Sequence, residues 1–208
     1  MFAPGAVRWI GPPTVGALAV GIALVLGVLP VRPPELALLV ALGAIGIFFA
    51  VFFRDPERAP APGIVSPADG HVRAVERVDA RWRISVFMNV TDVHVNRAPL
   101  DGRVEGIDAA GEGYRAAFRV DADRNVRRHY RLATDLGPVE LVQITGLVAR
   151  RIVPYVRAGS LLRKGDRFGM IVLGSRVDLL LPAARVRPVV AVGDRVRAGT
   201  TTVAVSEP

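Results

Sequence analysis

Cysteine is absent from this 208-residue chain. That excludes disulfides, thiolate metal sites and a cysteine nucleophile. Lysine is almost absent too: Lys164 is the only one, in a turn-like Arg163-Lys164-Gly165-Asp166 stretch. An enzyme using a lysine Schiff base has no other choice, so amine chemistry here needs a carbonyl from elsewhere. Only three histidines are available as neutral bases. Acidic charge is outweighed, with 19 acidic against 27 basic residues and a formal net charge of +8. Nearly all the positive charge is arginine, and a basic chain suits anionic lipid or nucleic acid. A basic–aromatic motif of the nucleic-acid-binding kind is missing.

Long apolar runs are missing from residue 54 onward, whereas the first 53 residues hold two. Mean hydropathy is +0.36 and hydrophobic content 51 %, an excess concentrated in those runs. Residues 14–29 and 36–53 are uncharged. The second, at 18 residues, is long enough for a transmembrane helix. The first reaches the roughly 20 residues of a span only if Trp9 and Ile10 extend it through Pro12-Pro13. Pro30-Val31-Arg32-Pro33-Pro34 breaks the two, and so short a loop makes them antiparallel. Val15, Gly16, Ala17, Ala19 and Gly21 suit close helix packing in lipid. Arg8, Arg54 and Arg58 flank the pair while the loop has only Arg32, which predicts cytoplasmic ends. A signal peptide lacks a cleavage motif here. A re-entrant hairpin held in one leaflet stays open.

Residues 54–63, rich in proline and charge, read as a linker. From 64 to 208 the pattern changes to short strand-like runs: 71–78, 82–88, 103–108, 115–120, 129–134, 139–147, 151–156, 168–173, 177–181, 185–189 and 201–205. This predicts a mainly β domain, a sandwich or barrel-like hybrid, behind a two-helix membrane hairpin over 1–53. Gly165-Asp166 and Gly193-Asp194 resemble the turns of lipoyl-type hybrid barrels. No lysine follows where a carrier domain would be modified.

Four stretches can carry chemistry. Ser66-Pro67-Ala68-Asp69-Gly70 sets a carboxylate in a tight turn; most Asp-Gly pairs are only turns, yet a fixed carboxylate can orient an imidazole. His94 is the only histidine among alternating apolar residues, a setting more often structural than catalytic. His71 follows the Asp69-Gly70 turn, and His129 sits among Arg127, Arg128 and Arg131, poor surroundings for a base. Leu173-Gly174-Ser175-Arg176 interrupts two strand-like runs. There the serine hydroxyl lies beside the Gly174 carbonyl, so with a base at hand the chain can attack itself. Asp69, His94 and Ser175 thus offer an orienter, a base and a nucleophile.

These motifs, taken jointly and in order, resemble the phosphatidylserine decarboxylases. The resemblance rests on Phe52-Phe53-Arg54-Asp55-Pro56-Glu57-Arg58, on Val65-Ser66-Pro67-Ala68-Asp69-Gly70 and on Phe87-Met88-Asn89-Val90-Thr91-Asp92-Val93-His94-Val95-Asn96-Arg97-Ala98-Pro99. Gln143-Ile144-Thr145-Gly146-Leu147-Val148-Ala149-Arg150-Arg151-Ile152 and the stretch from Phe168 to Pro182 complete it. The Gly174-Ser175-Arg176 site, and Arg97 where longer bacterial members carry a second histidine, are similar to the short branch of that family. Asp121-Ala122-Asp123-Arg124-Asn125 and Gly111-Glu112-Gly113-Tyr114 depart from its usual segments.

The resemblance implies self-cleavage between Gly174 and Ser175, with Ser175 converted to a covalent pyruvoyl cofactor. It implies that Asp69 and His94 assist, and that the two product chains stay associated. It implies decarboxylation of phosphatidylserine to phosphatidylethanolamine at a membrane. Arg97 and Arg176 are the arginines expected to neutralise the lipid phosphate; the bland reading makes them surface residues. No metal or nucleic acid is implied, and a homo-oligomer is compatible. The rival readings are an archaetidylserine decarboxylase and a non-catalytic membrane-anchored β adaptor.

Overall fold

A computed structural model describes residues 1–113, 124–146, 151–172 and 175–207. The strand expected over 115–120, the departures at Tyr114 and 121–123, the motif end at 147–150, and Leu173 and Gly174 lie outside the described residues. The chain divides into two compact units, Met1–Pro56 and Glu57–Pro208.

The first unit is a helical hairpin of α1 (Val7–Val25) and α2 (Pro33–Phe52). α1 continues through Pro12 and Pro13, so the first apolar run does gain Trp9 and Ile10. Both helices are long and apolar enough to cross a membrane. Pro33 opens α2, where its missing N–H costs nothing. Small residues set the helix contact: Gly16 faces Leu42, Gly21 faces Leu39, and a Cβ on Gly46 would lie 3.2 Å from Thr14 Oγ1. Trp9 packs on Phe49 and Phe53, with ring centroids 5.9 and 6.1 Å apart. Ala3 N donates to Phe53 O and Asp55 N to Met1 O, both at 2.8 Å, which fastens the N-terminus to the exit of α2.

The second unit is β in all its described elements. Its strands are β1 (Ile64–Val65), β2 (Gly70–Val78), β3 (Arg81–Met88), β4 (Val95–Arg97), β5 (Gly102–Ala110), β6 (Arg127–Thr134), β7 (Gly137–Thr145), β8 (Arg151–Pro154), β9 (Leu161–Leu162), β10 (Arg167–Val172), β11 (Ser175–Pro182), β12 (Val186–Pro188), β13 (Arg195–Val196) and β14 (Thr202–Ser206). Eight form one sheet in the order β13-β2-β3-β11-β7-β6-β5-β9, and two three-stranded sheets, β1-β14-β12 and β4-β10-β8, complete the domain. The expected mainly β class is therefore what forms. β1, β4, β9 and β13 were not expected, since two or three residues carry no readable period.

The core follows strand alternation. Val177, Leu179 and Leu181 of β11 enter it beside Ile84, Val86 and Met88 of β3 and Val139 and Leu141 of β7. Phe168 of β10 meets Tyr130 of β6 edge to face at 5.1 Å. The opposite face of β11 carries Arg176 and Asp178.

Candidate active site

Ser175 is the first residue of β11. It pairs with Met88 of β3 on one side and Thr145 of β7 on the other. Its parity is that of Val177 and Leu179, so it shares the core-facing register. It is fully buried, and its Oγ has no hydrogen-bond partner among the described residues. An unsatisfied buried hydroxyl costs about 1–3 kcal/mol, and a native protein that keeps one invites a functional explanation.

His94 lies just before β4 and is 1 % exposed. Its Nδ1 sits 2.8 Å from the main-chain oxygen of Asp92. A carbonyl only accepts, so Nδ1 carries the proton and the basic nitrogen of the neutral ring is Nε2. The Asp92 carboxylate closes the same turn by accepting from Asn89 N at 2.8 Å. Ile171 N donates to His94 O at 3.3 Å, one residue beyond the β4–β10 ladder. The His94 backbone therefore lies against a residue four positions before Ser175.

Asp69, expected to orient His94, is committed to another cation. Its Oδ1 accepts from Arg58 Nη1 at 2.5 Å and from Ala198 N at 2.8 Å, and its Oδ2 accepts from Arg58 Nη2 at 2.9 Å. Arg58 Nη1 also donates to Ala198 O at 2.9 Å. The physical reason is burial. A carboxylate shielded from water needs charge compensation, and a guanidinium fork supplies two parallel bonds. The Nδ1 proton of His94 is already used on Asp92. Asp69 still reaches the histidine strand through its loop, because Arg97 N donates to Pro67 O at 2.9 Å. Gly70 seats that loop: its φ is +137°, and a Cβ there would come 2.0 Å from Phe87 O.

The two arginines expected at the lipid phosphate are buried rather than at the surface. Arg97 Nη1 donates to Gly165 O at 3.0 Å. Arg176 pairs with Asp178 two residues on: Nη2 donates to Oδ2 at 3.0 Å. Nε lies 2.9 Å from Oδ1 but off the hydrogen-bonding direction, so that contact is electrostatic. Burial pushes the Asp178 carboxyl above the usual carboxylate range, and Arg176 and a bond from Ser85 oppose the shift. This pair lies on the face of β11 opposite Ser175. Arg58 had been legible as a charge flanking the hairpin and as the end of the Phe52–Arg58 motif, and nothing in its spacing pointed to Asp69.

A buried amide chain was also missed. Tyr130 Oη donates to Gln143 Oε1 at 2.6 Å, Gln143 Nε2 donates to Asn96 Oδ1 at 2.7 Å, and Asn96 Nδ2 meets Met88 Sδ at 3.5 Å. Met88 and Asn96 sit in one motif, Gln143 in another far along the chain and Tyr130 in none, so only the fold unites them. Among the described residues no cluster of His, Cys, Asp or Glu could hold a metal ion.

Residues 45–204 match the phosphatidylserine decarboxylase family. The chain is 47 % identical over 167 residues to a phosphatidylserine decarboxylase proenzyme of Thermobifida fusca, covering 79 % of this chain and 76 % of that protein. It is 46 % identical over 152 residues to a like-named proenzyme of Streptomyces avermitilis, covering 72 % and 70 %. A Halobacterium salinarum protein, provisionally named an archaetidylserine decarboxylase proenzyme, is 46 % identical over 165 residues, covering 77 % and 82 %. These matches define the class as a decarboxylating lyase. The chain belongs to the phosphatidylserine decarboxylase family.

Proposed function

We propose that this chain is a precursor that breaks its own Gly174–Ser175 bond and then decarboxylates phosphatidylserine to phosphatidylethanolamine. The Ser175 hydroxyl carries the reading: it is fully buried, without a partner among the described residues, at the start of a central strand. Nε2 of His94 takes its proton. The oxygen attacks the Gly174 carbonyl carbon, the Gly174–Ser175 C–N bond breaks, and the nitrogen takes up the proton, so an ester replaces the amide. Loss of the Cα proton of residue 175 expels Gly174 as a carboxylate and leaves dehydroalanine. Water then displaces ammonia, and residue 175 ends as a pyruvoyl group. Ser175 suits this fate because its oxygen has no bond among the described residues to surrender.

A pyruvoyl carbonyl supplies the electron sink for the pair left when carbon dioxide departs. Lys164 cannot take that role, since it offers an amine and not a carbonyl, and it lies in a surface turn with Nζ donating to Gly63 O at 3.3 Å. Asp69 and Arg58 act as a fixed charge pair under the loop that holds β4. β11 lies between β3 and β7, both upstream of the break, while β13 and β14 pair with β2 and β1. That interleaving supports lasting association of the two products. The hairpin tethers the domain to the bilayer that holds the substrate, and its flanking arginines favour a cytoplasmic location.

Archaetidylserine is the second reading, favoured by the Halobacterium relative, whose identity nearly equals that of the Thermobifida one. The test uses the full-length protein in mixed micelles with diacyl and with diether serine lipids. Carbon dioxide release from the diacyl lipid, abolished by Ser175→Ala, supports the proposal. Turnover of the diether lipid alone selects the second reading, and turnover of neither contradicts both.

A further inference from the structure

β4 has three residues and pairs only with β10, outside the eight-stranded sheet. The Asn96 side chain ties it to that sheet. Asn96 is fully buried. Its Oδ1 accepts from Gln143 of β7, and its Nδ2 faces the Met88 sulfur of β3. Met88 stands directly opposite Ser175, and Gln143 directly opposite Val177. The Asn96 amide therefore bridges across β11 at its first two core-facing residues.

Its orientation is fixed by chemistry. A reversed amide would set a carbonyl oxygen against a sulfur, two acceptors face to face. Gln143 is held in turn by the Tyr130 hydroxyl, and by Gly169, where a Cβ would come 3.0 Å from both of its amide atoms. Asn96 lies two residues beyond His94, whose main-chain oxygen accepts from Ile171 N one residue past the β4–β10 ladder, so the same short backbone carries both side chains.

We propose that Asn96 is a positioning residue for self-processing: its bridge to Gln143 and Met88 holds the His94 segment in register over Ser175. The inference rests on the reading that Ser175 is the nucleophile and His94 its base. A misplacement of about 1 Å between reacting groups can cost about 100-fold, so losing the bridge slows processing on that scale without unfolding the domain.

The test follows conversion of full-length precursor to two chains by denaturing mass measurement. Asn96→Leu is expected to convert about 100-fold more slowly. It should also stay uncleaved in neutral hydroxylamine, because the slow step precedes the ester. The exchange Asn96→Gln with Gln143→Asn restores an amide bridge and is expected to recover most of the rate. Wild-type conversion by Asn96→Leu overturns the inference, as does build-up of a hydroxylamine-cleavable ester or failure of the exchange to recover. Should Asn96→Leu not fold, Gln143→Leu breaks the same bridge from its other end, and the same outcomes decide. Ser175→Ala separates the two levels: if it still yields two chains, the underlying reading fails. If it blocks cleavage while Asn96→Leu processes normally, only the positioning role fails.

Discussion

Arg58 closes on Asp69 through a guanidinium fork, with Nη1–Oδ1 at 2.5 Å and Nη2–Oδ2 at 2.9 Å. Both side chains are 11 % exposed. Removing one partner of such a pair strands a buried charge. Arg58→Ala should therefore destabilise the precursor by about 3 kcal/mol, and Arg58→Lys, which keeps the charge but loses the fork, should lose less. Thermal unfolding in a Ser175→Ala background, which removes processing from the measurement, checks both. Equal midpoints for all three proteins would remove the clamp from the account.

Arg176 gives a contrasting expectation. It lies on the face of β11 away from Ser175 and is paired with Asp178. Arg176→Gln should lower precursor stability by about 3 kcal/mol. In whatever enzyme is processed, KM for the lipid should stay within about twofold of wild type if the role of Arg176 is to pair with Asp178. A large rise in KM at unchanged kcat would instead support the phosphate-binding role expected of this residue from the sequence.

Acid should weaken the domain through His129. Burial, and then the neighbouring Arg127, hold its imidazole below the ordinary histidine range. The unfolded chain takes up the proton near the usual value of about 6.5, while the fold resists it. The unfolded state thus binds more protons as pH falls. Stability from this group is present above about pH 6.5 and is lost as pH falls toward the folded value. The unfolding midpoint of the Ser175→Ala precursor should drop across that window, and His129→Gln should flatten the drop. An unchanged slope in His129→Gln would assign the pH dependence elsewhere.

Gly70 tests the loop that seats Asp69. With φ at +137° and Phe87 O 2.0 Å from where a Cβ would sit, no side chain fits. Gly70→Ala should leave little folded precursor, measured as yield of protease-resistant domain. Normal yield would show that the loop has another way to sit on β3.

Sequence showed the class of this fold because most long strands carry clear apolar alternation, from Ile84, Val86 and Met88 in β3 to Val177, Leu179 and Leu181 in β11. The hairpin was legible from two uncharged runs around one proline-rich break. Ser175 and His94 were singled out by their surroundings, and both are fully or almost fully buried. The partnerships were not legible. Arg58 meets Asp69 eleven residues on, and Gln143 meets Asn96 across 47 residues. No local period encodes such a distance. The partner of His94 Nδ1 was not legible for a related reason: it is the main-chain oxygen of Asp92, and main-chain groups leave no mark in residue identity.

The central claim is that Gly174–Ser175 is a bond this chain breaks by itself. Intact mass of the purified full-length protein, taken under denaturing conditions, tests it most directly. The account predicts two chains, one ending at Gly174 and one beginning at former Ser175 with a blocked N-terminus, and a single full-length mass for Ser175→Ala. A single full-length mass for the wild-type protein that persists through long incubation would contradict it.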